Sequence, residues 1–127
     1  MGFWDWLTTK RDSKLDLWHK LAYSNFTWRD ESKKKEQFLY HDIYRPFTGD
    51  CDDFAASVVM MYGQGAEYVT IELPREFDAN GKPLTHAVCR VGKWISDNRY
   101  PKPYKDGALN IVRVKDYVYV KKMAKKG

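Results

Sequence analysis

Apolar residues first fall into helical register after Asp12. Leu15, Trp18, Leu21 and Ala22 recur at helical spacing and lay one buried stripe along a helix. Ser13, with Asp16 three residues on, resembles a capping box at its start. His19 lies between Trp18 and Lys20, off that stripe, and reads as a surface histidine. Asn25 to Lys35 is polar and charged around Trp28, a loop or the start of another helix. A shorter helix is expected over Glu36 to Tyr44, turning Phe38, Leu39 and Ile43 inward. His41 and Asp42 are adjacent in it, so they point in different directions and form no dyad. Arg45-Pro46 ends that helix, because a residue before proline is steered out of the α region. After Gly49 comes a central helix from Asp50 to Tyr62. Phe54, Val58, Met61 and Tyr62 share one face, which Ala55 and Val59 widen, so this helix is mostly buried. Gly63 and Gly65 stop it.

The period then changes to that of strands. Tyr68 to Leu73 alternates and is rich in β-branched and aromatic residues, and Pro74 stops it. Asp78-Ala79-Asn80-Gly81-Lys82-Pro83 is turn chemistry, a candidate exposed loop. His86 to Val91 is the next strand, Gly92-Lys93 a two-residue hairpin turn, and Trp94 to Asp97 the returning strand. Tyr100 to Gly107 is a proline-containing loop, and Leu109 to Val114 and Tyr117 to Lys122 read as two final strands. Helices followed by an antiparallel sheet make an α+β fold. The 127 residues suit a single domain, with 121–127 as a basic, frayed tail.

Composition narrows the function classes. No apolar run reaches membrane-spanning length, so no membrane association is expected. The Lys33-Lys34-Lys35 run and Lys121, Lys122, Lys125 and Lys126 more than account for the net charge of +5. They read as a solvated turn and a tail rather than one basic face, so nucleic acid is not an expected partner. The first residues lack both a basic leader and an apolar run, which points to a cytoplasmic protein without a secretory signal. Gly2 suits myristoylation, but Trp6 stands where that motif takes Ser or Thr. The aromatic start, with Phe3, Trp4 and Trp6, reads as a plug on the domain. Two cysteines without metal-ligand spacing fit a reducing compartment and no structural zinc.

The candidate chemistry begins at Gly49-Asp50-Cys51-Asp52-Asp53-Phe54-Ala55-Ala56, where a glycine turn delivers a cysteine to a helix start. With Gly92-Lys93 as the turn, Val91 faces Trp94, and counting outward sets Val88 against Asp97. His86 then shares a face with Asp97 and lies diagonal to it, within side-chain reach. Asn98 points the other way. Cys89 falls on the opposite face as a small core residue and is not placed to bond Cys51. Cys51, His86 and Asp97 are thus the candidate triad. Helix N–H groups favour a thiolate at Cys51, while Asp50, Asp52 and Asp53 oppose it. Those aspartates cap the helix in the simplest reading. The Cys51 N–H is a candidate oxyanion donor, with Gln37, Tyr40 or Trp28 as candidates for a second.

Gly49-Asp50-Cys51-Asp52-Asp53-Phe54-Ala55, then His86-Ala87-Val88 and Asp97-Asn98, resembles the bacterial transglutaminase-like cysteine peptidases of the papain and transglutaminase-like superfamily. The match runs from Tyr44 to Asn98. It implies a nucleophile-bearing helix packed on an antiparallel sheet. It also implies Cys51 as nucleophile, His86 as general base and acid, and Asp97 orienting His86. The chemistry would be acyl transfer on a protein or peptide through a thioester, ending in hydrolysis or transfer to an amine. No cofactor is required, although some relatives bind calcium at positions matching Asp50, Asp52 and Asp53. The chain is shorter than periplasmic members, which suits a bacteriophage genome and a host-cell cytoplasm. Two alternatives are a cell-wall amidase of the cysteine–histidine type and a non-catalytic interaction protein on the same fold. The amidases have Ser-Gly where this chain has Asp52-Asp53.

Overall fold

A computed structural model describes residues 12–30, 38–107 and 109–127. The first helix, α1 (Ser13–Asn25), is capped by Asp12, whose carboxylate accepts from the Leu15 N–H, rather than by Ser13. Its buried residues are Leu15, His19 and Ala22. These are spaced by four and three, so they form one face that includes His19. The surface assignment of His19 is therefore corrected: it is 0% exposed. The helix passes directly into β1 (Phe26–Trp28).

No helix covers the described part of Glu36 to Tyr44. Phe38, Leu39 and Ile43 turn inward from β2 (Leu39–Tyr40) and the turn after it. The reason lies at the other end of the chain. Phe38 and Tyr40 carbonyls accept from the N–H groups of Lys125 and Gly127, which makes Lys125–Lys126 a strand parallel to β2. The expected strand at Tyr117 to Lys122 is also corrected, to a helix, Tyr117–Met123. Asp116 caps it by accepting from Tyr119 N–H, and helical spacing brings Tyr117, Val120 and Ala124 to the core. The basic tail expected to fray is thus helical and then paired.

Next, β3 (Phe47–Gly49) pairs in parallel with β1 and leads into α2 (Cys51–Tyr62). Residues 53–59 of α2 are all buried, as the apolar pattern requires. Gly63 ends it with φ +87, its N–H returning to the Val59 carbonyl. The sheet follows: β4 (Ala66–Phe77), β5 (Pro83–Val91), β6 (Trp94–Ser96), β7 (Tyr104–Lys105) and β8 (Asn110–Asp116). The helix Tyr117–Met123 is α3 and the Lys125–Lys126 strand β9. The five sheet strands are antiparallel in the order β7-β6-β5-β4-β8. This is an α+β fold. Pro74 does not end β4 as expected. Pairing with β8 stops at Glu72, and the β5 register slips between Glu72 and Phe77, so Pro74 meets no ladder that needs its missing N–H.

One face of the sheet packs on α2 through Ala66, Tyr68, Ala87, Cys89 and Val91 against Phe54, Ala55, Val58 and Val59. The other carries Val69, Ile71, Val88 and Ile95. Burying each large side chain of this set contributes about 1.5–3 kcal/mol, so α2 is held from its fourth residue, Phe54, onward. No helix among the described residues is long and apolar enough to cross a membrane.

Candidate active site

The hairpin forms in the expected register. Val91 faces Trp94, Arg90 faces Ile95 and Cys89 faces Ser96, with Gly92 at φ +58 in the turn. The paired register ends at Cys89–Ser96, and one further step along it leads toward Val88 and Asp97. His86 Nε2 lies 2.8 Å from Asp97 Oδ1, the diagonal contact that alternation predicts. Cys89 is fully buried on the α2 face and both cysteines are free.

Asp97 is 0% exposed and accepts from more than His86. Arg99 donates through Nε, 3.2 Å from each oxygen, through Nη2 at 2.8 Å from Oδ2 and through its backbone N–H at 3.0 Å from Oδ1. The Tyr104 hydroxyl adds a contact of 2.8 Å to Oδ2. Burial pushes the carboxyl up, but the His86 and Arg99 hydrogen bonds outweigh it and hold Asp97 well below the usual carboxylate range. An ionised carboxylate only accepts, so His86 Nε2 is the nitrogen that donates to it, and in a neutral ring Nδ1 is then the acceptor.

Among the described residues the Cys51 sulfur makes no hydrogen bond to the His86 ring. Ala87 and Cys89 face α2, His86 faces the other side of the sheet, and the sulfur meets the backbone beside His86. The last β5–β6 pair is Cys89 with Ser96, so no β6 partner faces Ala87. There the N–H of Ala87, the residue after His86, donates to the Cys51 sulfur. Cys51 is the first residue of α2. Asp50 accepts from the N–H groups of Asp52 and Asp53. The Cys51 N–H has no partner within the helix and faces no claim from that cap. Of the other oxyanion candidates, Gln37 lies outside the described residues, Trp28 is on β1 and Tyr40 on β2.

The contest over the thiol resolves against a resting thiolate. Burial first, then the Asp52 charge, raise Cys51 from the ordinary 9.0 to about 12; the Ala87 N–H opposes them, and Asp50 and Asp97 add to the rise. Asp52 Oδ1 is 3.9 Å from the sulfur and accepts from the Tyr68 hydroxyl at 2.6 Å.

The flanking aspartates have separate partners. Asp50 is the helix cap. Asp52 meets Tyr68. Asp53, buried, lies 2.7 Å from His41 Nε2. Among the described residues, no group of three or more His, Cys, Asp or Glu side chains is placed to share a metal ion. Gly49 matters for a reason other than the expected turn. Its backbone is outside the positive-φ region, and a Cβ there would lie 2.5 Å from both Cβ and Cγ of Asp53. Only glycine permits that approach.

Sequence reasoning overlooked the parts played by Arg99, Tyr104 and Tyr68, and it read His19 as a surface residue. Arg99 had a weak signal, since an Asp commonly accepts from the N–H two residues on. Tyr104 and Tyr68 had none, because tertiary packing alone brings them in. His19 Nε2 donates to the Tyr100 carbonyl at 2.8 Å, and Nδ1 lies 2.7 Å from Ser96 Oγ, so α1 pins both ends of the turn carrying Asp97. No family model matches the sequence, and no curated protein does.

Proposed function

We propose that the protein is a cysteine hydrolase or amide-directed acyltransferase, with Cys51, His86 and Asp97 as its triad on a papain- and transglutaminase-like core. The observation that carries this reading is the His86–Asp97 pair, 2.8 Å apart, on the residue next to the one whose N–H meets the Cys51 sulfur. The substrate class is a protein or peptide amide.

With its pKa at about 12, the Cys51 thiol is protonated at neutral pH, so attack and deprotonation are concerted. The sulfur forms a bond to the amide carbon while its proton passes to His86 Nδ1. The carbonyl electrons move onto oxygen, where the Cys51 N–H is available. As the oxyanion collapses, the C–N bond breaks and His86 returns the proton to the departing amine. Water or an amine then attacks the thioester, giving its proton to His86; the C–S bond breaks and the sulfur is reprotonated. Asp97 accepts from Nε2 throughout and stabilises the imidazolium. Asp50, Asp52 and Asp53 serve here as cap, thiol neighbour and His41 partner, and calcium has no step in the reaction.

The test is site-resolved labelling of the folded protein by iodoacetamide and by p-nitrophenyl acetate. Cys89, fully buried, is the internal control. Cys51 is expected to react and to turn over the ester, and Cys51→Ala to abolish turnover while remaining folded. Equal labelling of the two cysteines sinks the nucleophile assignment. Release of muropeptides from peptidoglycan would favour the amidase alternative; full biological activity in Cys51→Ala would favour the interaction protein.

A further inference from the structure

We propose that Arg99 and Tyr104 are positioning residues that set the imidazole tautomer of His86 by holding Asp97 as a pure hydrogen-bond acceptor. The consequence for catalysis rests on the function proposed above; the geometry does not.

A carboxyl as buried as Asp97 takes up a proton unless its charge is matched. Arg99 matches it with a fork, Nε spanning both oxygens and Nη2 closing on Oδ2. The Tyr104 hydroxyl shares Oδ2 with that fork, and His86 shares Oδ1 with the Arg99 backbone N–H. Every one of these contacts asks Asp97 to accept. Remove the guanidinium and the phenol, and burial favours the neutral acid. A neutral acid can donate to His86 Nε2, which moves the ring proton to Nδ1. A ring in that form cannot take the Cys51 proton at Nδ1.

Both residues are built into the fold for this contact. Arg99 lies in the turn that follows β6, its guanidinium 5.3 Å from the Tyr100 ring centroid. Tyr104 comes from β7 and packs edge-on against the same ring, at 5.3 Å. His19 holds the Tyr100 carbonyl from the other side. The turn is therefore pinned while its carboxylate is saturated with donors.

The experiment is nitrogen-15 NMR of the histidine side chains in the full chain, which separates the two neutral tautomers. Wild type is expected to show His86 wholly as the Nε2–H form. Arg99→Gln with Tyr104→Phe should give a mixed or reversed tautomer, and Arg99→Lys should return it toward wild type. Acylation of Cys51 by p-nitrophenyl acetate should fall about 10²–10⁴-fold in the double variant, with little change in KM. A pure Nε2–H tautomer in the folded double variant overturns the proposal. Should that variant not fold, Arg99→Gln alone removes the guanidinium that matches the charge and decides the matter by the same signal. If wild-type Cys51 is not acylated at all, the catalytic function fails, while the tautomer still judges the positioning role.

Discussion

Two histidine–carboxylate pairs of nearly equal length occur in the fold, His41–Asp53 at 2.7 Å, which straddles Cys51 in the chain, and His86–Asp97 at 2.8 Å, which follows it. Each joins a partly or fully buried imidazole to a buried acid, yet their surroundings differ. His41 stacks on Phe47 at 5.3 Å, and its N–H donates to the Ser57 hydroxyl, which donates in turn to the Asp53 carbonyl. A hydroxyl used twice on backbone groups is a strut rather than a nucleophile. The pair ties β2, and with it the C-terminal strand, to the first turn of α2. At His86 the neighbouring N–H instead meets a sulfur, and the acid carries a guanidinium and a phenol. A short His–Asp distance therefore does not identify a site. What lies beside each pair differs, a serine strut at His41 and a cysteine sulfur on the backbone next to His86.

The sharpest way to break this contrast is to substitute each acid by its amide. Asp97→Asn can donate to Nε2 and reverse the tautomer, so Cys51 acylation should fall by about 10⁴-fold. Asp53→Asn should leave that rate within a few-fold. Equal losses measured by ester turnover would mean that the two pairs are not functionally distinct.

Stability should rank them the other way when the histidines are removed. His41→Ala leaves the buried Asp53 without that partner and should cost about 2–3 kcal/mol in urea unfolding. Gly49→Ala forces a Cβ into Asp53 and should cost about 1–3 kcal/mol, with slower acylation because the first turn of α2 must shift. A silent Gly49→Ala would show that the close approach is not needed.

A smaller effect sharpens the role of the acids beside the sulfur. Asp52→Asn removes the nearest charge on Cys51, so its pKa should drop from about 12 toward the ordinary 9.0. Each unit of that drop should speed alkylation at pH 8 about threefold, since more thiolate forms but each is less nucleophilic. No change would leave burial, with the smaller contributions of Asp50 and Asp97, as the cause of the rise.

The same shifts bound the stability profile. The Cys51 thiol is raised in the fold, so its contribution is complete below pH 9.0 and is lost as pH climbs toward 12. Asp97 is lowered, so its contribution is present above the ordinary 3.8 and disappears as pH falls through the acid range. Denaturant midpoints across pH should show a plateau between these limbs, and Cys51→Ala should have a shallower alkaline limb than wild type.

How much of this was legible beforehand follows from the range of each signal. Period and turn chemistry act over a few residues, so the sequence alone determined the buried helix after Asp50 and the register across Gly92-Lys93. That register chose Asp97 over Asn98 and set Cys89 on the far face, because strand side chains strictly alternate. Local pattern failed where a distant partner decided. Phe38 to Ile43 carries an apolar spacing that suits a helix, but pairing with Lys125–Lys126 made it a strand and a turn. Tyr117 to Val120 alternates like a strand, yet an aspartate cap and a core-facing Val120 made it helical. Tertiary structure likewise brought Arg99 and Tyr104 to Asp97, joined His41 to Asp53 and buried His19. It also raised the Cys51 pKa, chiefly by burial. The helix start and its aspartates are readable in sequence, but desolvation is a property of everything packed around the sulfur.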